Sequence, residues 1–341
     1  MFKTLMKIAV LLSLTASMAF AYQAIRLNVS EGTKKERNDA FTGILEVDLE
    51  DAGFTQKDIH PQIEYYYRLF YGTKLDKKGK PNPKFKTDYV ENLDNLGFIT
   101  ISNEEWFMPL LVKEPRLGGF APLNYLIYKH LNDNRTYVGT LTPQAMLDIT
   151  KVKDPEVRKT FTEYIDALSE ATDEGMAGKV EYIEIDKLNE KTMIEFEMPF
   201  DRGDDILDAK FDFMDKFEAA FEAQDYIIAG KRDFHEYWTD NEMEQDRFDA
   251  YWVYSLCHFT FSYTVFNVWK QPELGASAPC SMYMYVEKGK NVLHIGMPSV
   301  NNWITFGKIK DPEKLKFIKA MDEKIKSIMI SLGAKEIWKN Y

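Results

Sequence analysis

The sequence predicts an α+β protein of two similar domains, each a mostly antiparallel sheet with flanking helices, packed together as an internal pseudo-dimer. The strongest observation is an internal repeat. Lys113-Glu-Pro-Arg-Leu-Gly-Gly-Phe-Ala-Pro122 lies over Lys270-Gln-Pro-Glu-Leu-Gly-Ala-Ser-Ala-Pro279 at an offset of 157, and the register holds without a gap to Lys151-Val-Lys-Asp-Pro-Glu156 over Lys308-Ile-Lys-Asp-Pro-Glu313. Between Lys113 and Glu156, 14 of 44 positions are identical, where composition alone gives roughly three. A second observation is that both copies mix segments of period two with segments whose apolar residues recur every three or four positions, which are strands and helices respectively. A third is that each copy closes with the same helix start, Asp154-Pro155 and Asp311-Pro312.

The chain opens with Lys3 and Lys7, continues as the apolar run Ile8 to Leu14 and reaches Ala19-Phe20-Ala21, the layout of a secretory signal peptide over residues 1–21. The expected domains are then 22–186 and 187–341, each long enough to bury a core of its own. Beyond residue 21 the charged side chains are 41 basic and 54 acidic. An acidic protein with no basic, aromatic-interleaved stripe repels phosphate backbones, so nucleic acid is excluded as a partner. The acidic runs Glu46 to Asp51 and Asp201 to Asp208 lack the spacing and central Gly of a calcium loop and read as solvated faces.

Each copy begins with an alternating strand, Ile25/Leu27/Val29 in the first and Ile194/Phe196/Met198 in the second. A helix follows, with the stripe Phe213, Phe217 and Phe221 in the second copy and Phe41, Leu45 and Leu49 in the first. The first copy holds extra residues, and Thr73 to Lys86, rich in Lys and Pro, reads as an inserted solvated loop. After a shorter helical stretch, Phe259/Phe261/Tyr263/Val265 alternate, which predicts a strand running to Trp269. Ser281 to Val286 and Val292 to Met297 form a hairpin around Glu287-Lys-Gly-Lys290, with Gly289 supplying positive φ. The first copy repeats the hairpin around Leu131-Asn-Asp-Asn134. In the closing helices Asp caps free amides and Pro has no amide to lose. Their stripes are Ile318, Met321, Ile325, Ile328 and Leu332, answered by Phe161, Tyr164 and Leu168. Lys179 to Ile185 is the expected last strand of the first copy.

At Pro272-Glu-Leu-Gly275, Ala278-Pro279-Cys-Ser-Met-Tyr-Met-Tyr285 and Val292-Leu-His-Ile-Gly-Met-Pro298, the chain resembles the central region of bacterial Domain of Unknown Function 302 proteins, more closely in the second copy than in the first. The resemblance implies a compact α+β domain with a largely antiparallel sheet, often self-associating, and no settled biochemical role. The family's more usual Gly-Asn-Pro before the turn is here Lys-Glu-Pro115 and Lys-Gln-Pro272, so a function residing in that turn is not implied.

The repeat supplies an internal control, because a residue that does chemistry in one copy can be compared with its twin. Cys280, Met282 and Met284 share a strand face and are soft ligands of the type copper prefers. Their twins are Leu123, Tyr125 and Ile127, which fits plain core, and no metal or cofactor is expected. His294 has Tyr137 as its twin and reads either as a hydrogen-bonded structural residue or as a ligand contact. With the turn at Glu287 to Lys290, His294 is placed opposite Tyr283 and beside Tyr285. Cys280 then points to the other face, which disfavours a Cys–His nucleophilic pair. A strand running from Cys257 to Trp269 and returning at Cys280 separates the thiols by on the order of 30 Å. A disulfide needs Cα atoms within about 7 Å, so two buried free thiols are expected. His60, His130, His235 and His258 lack the spacing of a zinc site. Trp106, Trp252, Trp269 and Trp303 belong to core or line an apolar pocket.

The function expected is that of an exported, periplasmic or secreted, non-catalytic binding or accessory module, either monomer or homodimer. A small-molecule or protein ligand would favour the seam between the repeats or the sheet surface near Tyr283, Tyr285, His294 and Trp303, with Tyr137 in the matching place of the first repeat. The alternative is a metal- or thiol-dependent enzyme with its site in the second domain, where Cys257, Cys280 and His294 all lie.

Overall fold

The computed structural model describes residues 22–32, 48–241, 243, 245–278 and 280–337. The expected signal peptide lies outside these residues, as do Phe41 and Leu45 of the predicted first helix and Pro279; Leu49 is buried in a single helical turn, Leu49–Asp51.

The first half contributes strands β1 (Tyr22–Glu31), β2 (Thr55–His60), β3 (Leu93–Ser102), β4 (Leu123–His130), β5 (Arg135–Leu141) and β6 (Lys179–Ile185), and the second half β7 (Met193–Pro199), β8 (Tyr226–Asp233), β9 (Phe248–His258), β10 (Cys280–Glu287), β11 (Val292–Pro298) and β12 (Lys335–Ile337). They form two six-stranded sheets, β2-β3-β4-β5-β1-β6 and β8-β9-β10-β11-β7-β12, in which every neighbouring pair is antiparallel. Strand for strand the wiring is the same. The offset of 157 carries β4 onto β10 and β5 onto β11 residue for residue, and the 3-10 segment Pro115–Phe120 onto Pro272–Ser277.

Helices of the first half are α1 (Ile63–Tyr67), α2 (Glu104–Lys113), α3 (Pro143–Ile149) and α4 (Pro155–Gly175); those of the second are α5 (Ile206–Glu222), α6 (Phe234–Asp240), α7 (Phe259–Tyr263), α8 (Asn302–Phe306) and α9 (Pro312–Ser331). The Asp-Pro starts act as expected: Asp154 accepts from the amides of Glu156 and Val157, and Asp311 from those of Glu313 and Lys314. The predicted stripes are buried at Phe161, Tyr164 and Leu168 on α4 and at Ile318, Met321, Ile325 and Ile328 on α9, while Leu332, expected in the second stripe, caps the end of α9 and is half-buried. Residues Thr73 to Lys86 form a loop of largely exposed residues. No helix among the described residues is long and apolar enough to cross a membrane.

One predicted strand is a helix. The chain is extended over β9, then turns helical through α7 and a wider-wound segment, Thr264–Val268. The alternation of Phe259, Phe261, Tyr263 and Val265 misleads because this helix is packed on two sides. Phe259 meets Tyr67 and Phe70 at ring distances of 4.7 and 5.0 Å, while Phe261 meets Trp303 and Phe317 at 5.1 and 5.4 Å. An element buried on both sides has no polar face to reveal its period.

The halves pack reciprocally. Helices cover one face of each sheet, as where Tyr125 of β4 bonds Thr172 of α4 and Tyr254 of β9 donates to Glu218 of α5 at 2.7 Å. Onto the other face comes the 3-10 segment of the opposite half. Pro115–Phe120 lies on the second sheet, where Tyr251 donates to the Pro115 carbonyl at 2.6 Å, and Pro272–Ser277 lies on the first, where Asn124 donates to the Gly275 carbonyl at 2.8 Å. This close seating requires glycine. A Cβ on Gly118 would run into the Tyr251 hydroxyl and stand 2.7 Å from Tyr283 Cβ; one on Gly275 would stand 2.9 Å from Leu126 Cδ1 and Phe98 Cε1. The edges β2 and β8 also meet, through His60 Nε2 at 2.8 Å from the Ala229 carbonyl and the buried Glu104 held between Lys57 and Arg232, each at 2.7 Å.

Candidate functional site

In an antiparallel ladder, residues directly opposite share a face. Tyr285 stands opposite His294, Tyr283 opposite Gly296, His294 opposite Glu197 and Gly296 opposite Glu195, so all four polar side chains and Tyr283 lie on the sheet face covered by Pro115–Phe120. The register corrects the expected pairing of His294 with Tyr283. The turn sits one residue later than read: β10 runs on through Glu287 and β11 starts at Val292, so residues 288–291 form it, with Gly289 at φ 70° and Lys290 donating back to the Glu287 carbonyl. The slip moves pairing by two positions and therefore keeps His294, Tyr283 and Tyr285 on one face and Cys280 on the other.

The geometry is that of an aromatic stack ending at carboxylates. The His294 ring lies 4.8 Å from Tyr285 at 18°, and its Nδ1 is 3.3 Å from Glu197 Oε1. Tyr285 stacks in turn on Tyr251 at 5.9 Å and 5°, and Tyr283 donates to Glu195 Oε1 at 3.1 Å. Burial, then the Glu195 carboxylate, push the Tyr283 phenol well above its ordinary range, so it is a donor at physiological pH. The inner end of the stack is buried at Tyr251 and Tyr283, while the outer end, with His294 and Glu197 at 19% and 35% side-chain exposure, reaches solvent. Arg116, carried in on the opposite half's segment, lowers the Tyr283 phenol by its charge.

The twin positions of the first half are apolar or aromatic, although Glu181 and Lys179 of the edge strand β6 stand opposite Leu27 and Val29 on the same face. Tyr137 takes the place of His294 and stacks on Tyr128 at 4.5 Å and 1°, Leu126 replaces Tyr283, and Val29 and Leu27 stand where the second half has Glu197 and Glu195. The two first strands thus turn their apolar alternation to opposite faces: Leu27 and Val29 face the opposite half, Ile194 and Phe196 face their own helices. Tyr137 donates to Asp133 at 3.1 Å, and burial pushes its phenol up to about 12. Even the covering segment differs in charge, with Glu273 in the place of Arg116 and its carboxyl pushed up by burial.

The expected site residues are therefore not all brought together. Tyr283, Tyr285 and His294 form one cluster and Tyr137 its counterpart on the other sheet. Trp303 sits apart, on α8, against Phe266 at 5.7 Å and beside a small cavity on the seam. Glu195, Glu197, Tyr251 and Arg116 were not anticipated. The two glutamates occupy the polar positions of an alternating strand and read as solvated, and Tyr251 sits in an unbroken apolar run; the signal that finds the glutamates is their apolar twins.

The thiols are free, as expected, but the expected 30 Å separation is wrong because the strand ends at His258. Cys280 stands opposite Leu256, one residue from Cys257, so consecutive residues send the two side chains to opposite faces. Burial pushes Cys257 up to about 11 and Cys280 to about 12, leaving both as thiols near neutral pH. Met282 and Met284 are core. The other histidines are scattered: His130 beside Asn92 at 3.2 Å, His235 lowered by burial, and His258 capping α7 with its pKa lowered to about 4 by burial and Lys324.

No family model matches the chain, and no curated protein is similar to it. A solved structure titled "Crystal structure of uncharacterized conserved protein DUF302 from Bacillus stearothermophilus" is similar, at 12% identity and a TM-score of 0.32, over 40% of this chain and 94% of that one. It carries the family name that the residues from Pro272 to Pro298 resemble. The α+β class of this chain rests on its own two antiparallel sheets.

Proposed function

We propose that the protein is an exported, non-catalytic binding or accessory module whose ligand contacts lie at the outer end of the second sheet face, at Tyr285, His294 and Glu197. One observation carries this reading. On a shared frame, the first half fills the face with Leu27, Val29, Leu126 and Tyr137, whereas the second places Glu195, Glu197, Tyr283 and His294 there. Apolar filling is sufficient for the fold, and half-buried carboxylates carry a desolvation cost, so the polar set has a use other than packing. An aromatic ring backed by carboxylate suits a cationic or hydrogen-bond-donating group on a small molecule or protein segment. Thiol chemistry in the same half has weaker support, since both thiols are held protonated.

Export is supported by Lys3, Lys7, the apolar run after them and Ala19-Phe20-Ala21. Fractionation and amino-terminal sequencing test it: a mature terminus near Tyr22 outside the cytoplasm is expected, and an uncleaved cytoplasmic protein removes this part of the reading. Native mass spectrometry of the purified protein tests binding. A bound mass that is lost in Glu197→Gln and His294→Ala, with circular dichroism unchanged, is expected; a bound mass indifferent to both places the ligand elsewhere.

A further inference from the structure

Lys86, in the loop inserted into the first half, holds its ammonium over the rings of two tyrosines, one from each half. It stands 5.4 Å from the centroid of Tyr71, which follows α1, and 5.8 Å from that of Tyr263, at the end of α7. The two rings are 4.7 Å apart, and Tyr263 stacks on Tyr89 at 5.7 Å and 10°. A cation within about 6 Å of a ring centroid is attracted by the negative face of the ring. Among the described residues these two rings are the only partners of the Lys86 ammonium. Lys84 of the same loop lies over Phe70 at 5.2 Å.

The rings are fixed from their hydroxyl ends. Tyr71 shares a hydrogen bond with the Thr260 hydroxyl at 2.9 Å, and the Tyr263 hydroxyl accepts from the Val90 amide at 2.9 Å. Burial pushes both phenols up, so at physiological pH they stay neutral and offer a cation their faces. The loop that brings the lysine is tied down: Asn82 Nδ2 donates to the carbonyls of Phe70 and Thr73 at 2.9 and 2.8 Å, and the Lys86 amide to the Tyr71 carbonyl at 2.9 Å. The frame does not need this loop, since the matching connection of the second half runs only from Asp240 to Phe248. A lysine is free to stand in water, yet this one is half-buried on rings with no carboxylate to hold it. It occupies the place an ammonium ligand would take, because such ring faces are what proteins use to recognise quaternary ammonium groups.

We propose that the ring faces of Tyr71 and Tyr263 form a binding site for a small organic ammonium ligand, filled in the free protein by Lys86, which the ligand displaces. The site is independent of the ligand face on the second sheet, which lies around Tyr285 and His294.

Titration of the full-length protein with tetramethylammonium, followed by NMR at the ring protons of Tyr71 and Tyr263, tests the site. Lys86→Ala is expected to bind the probe at least about tenfold tighter than the unsubstituted protein, because the internal occupant no longer competes. In the unsubstituted protein the ε-methylene protons of Lys86, held upfield by the ring currents, are expected to move to their solvated position as the probe is added. This second reading serves if the variant does not fold. Equal affinity in the two proteins, no response of these rings in the variant, or Lys86 signals that stay in place overturn the proposal. So does an equal response to uncharged tert-butanol, which assigns an apolar pocket instead.

Discussion

The sheet face beneath Pro115–Phe120 and the one beneath Pro272–Ser277 are built on one frame and filled in opposite ways. The first sheet presents Leu27, Val29, Leu126, Tyr128 and Tyr137 to a segment that carries Glu273. The second presents Glu195, Glu197, Tyr283, Tyr285 and His294 to a segment that carries Arg116. The basic residue thus comes to the acidic face and the acid to the largely apolar one, where burial pushes it toward its neutral form. Arg116 therefore matches the charge of the face it covers, whereas Glu273 is set against a face that disfavours its charged form. The frame tolerates either filling, so stability alone does not dictate the polar one.

The largest effect expected from breaking this comparison is at the paired glycines. Gly118 faces the Tyr251 hydroxyl, which is held by the Pro115 carbonyl, whereas Gly275 faces the movable ends of Leu126 and Phe98. Gly118→Ala is expected to destabilise by about 3 kcal/mol and Gly275→Ala by about 1 kcal/mol, as overpacking of a fixed and of a yielding neighbour. Urea unfolding measures both; equal losses would mean that the two seats are equally rigid.

Next in size is the exchange of one filling for the other. Tyr283→Leu, which installs the residue of the first half, removes the phenol's bond to Glu195 and is expected to cost about 2 kcal/mol, with Glu195→Leu recovering part of it in the double variant. A coupling energy near zero in the double-mutant cycle would show that the phenol and the carboxylate do not support one another.

A smaller difference concerns pH. His258 caps α7 and its twin Asn103 caps α2, accepting from the amides of Phe261 and Trp106. Only the histidine titrates. Its pKa falls from 6.5 to about 4 on folding, so the unfolded chain binds the proton more readily between these values. The stability this histidine contributes is present above pH 6.5 and is lost as pH falls toward 4. Allowing for solvent screening at a partly exposed ring, the loss is about 1–2 kcal/mol. His258→Asn keeps a cap and should flatten stability between these two pH values; an unchanged slope would assign it to other groups.

The hairpins, the capped closing helices and the repeat were legible in the sequence because their signals are local: Gly289 in a turn, Asp-Pro at a helix start, apolar residues at three and four. Helix α7 was not, because Phe259 and Phe261 pack in opposite directions and erase the period. The aromatic part of the candidate site was legible at Tyr283, Tyr285 and His294. Its carboxylates were not, since Glu195 and Glu197 look solvated until the opposite half's segment is laid over them. A face formed by parts of the chain distant in sequence leaves no periodic trace at either part.

The smallest effect sharpens the comparison by showing where the halves ought to agree. Asp154 and Asp311 each accept from two amides of the first helical turn, at 2.8 and 3.2 Å in α4 and at 3.0 Å twice in α9, and each precedes a proline. Asp154→Ala and Asp311→Ala are each expected to cost about 1 kcal/mol, the ordinary loss of an N-cap. Since neither cap touches the divergent sheet faces, their costs should match within about 0.5 kcal/mol and add in the double variant. A cap much weaker in one half, read by urea unfolding, would mean that the halves have diverged in scaffold as well as in filling. The polar face could then no longer be set apart as the place where function was added.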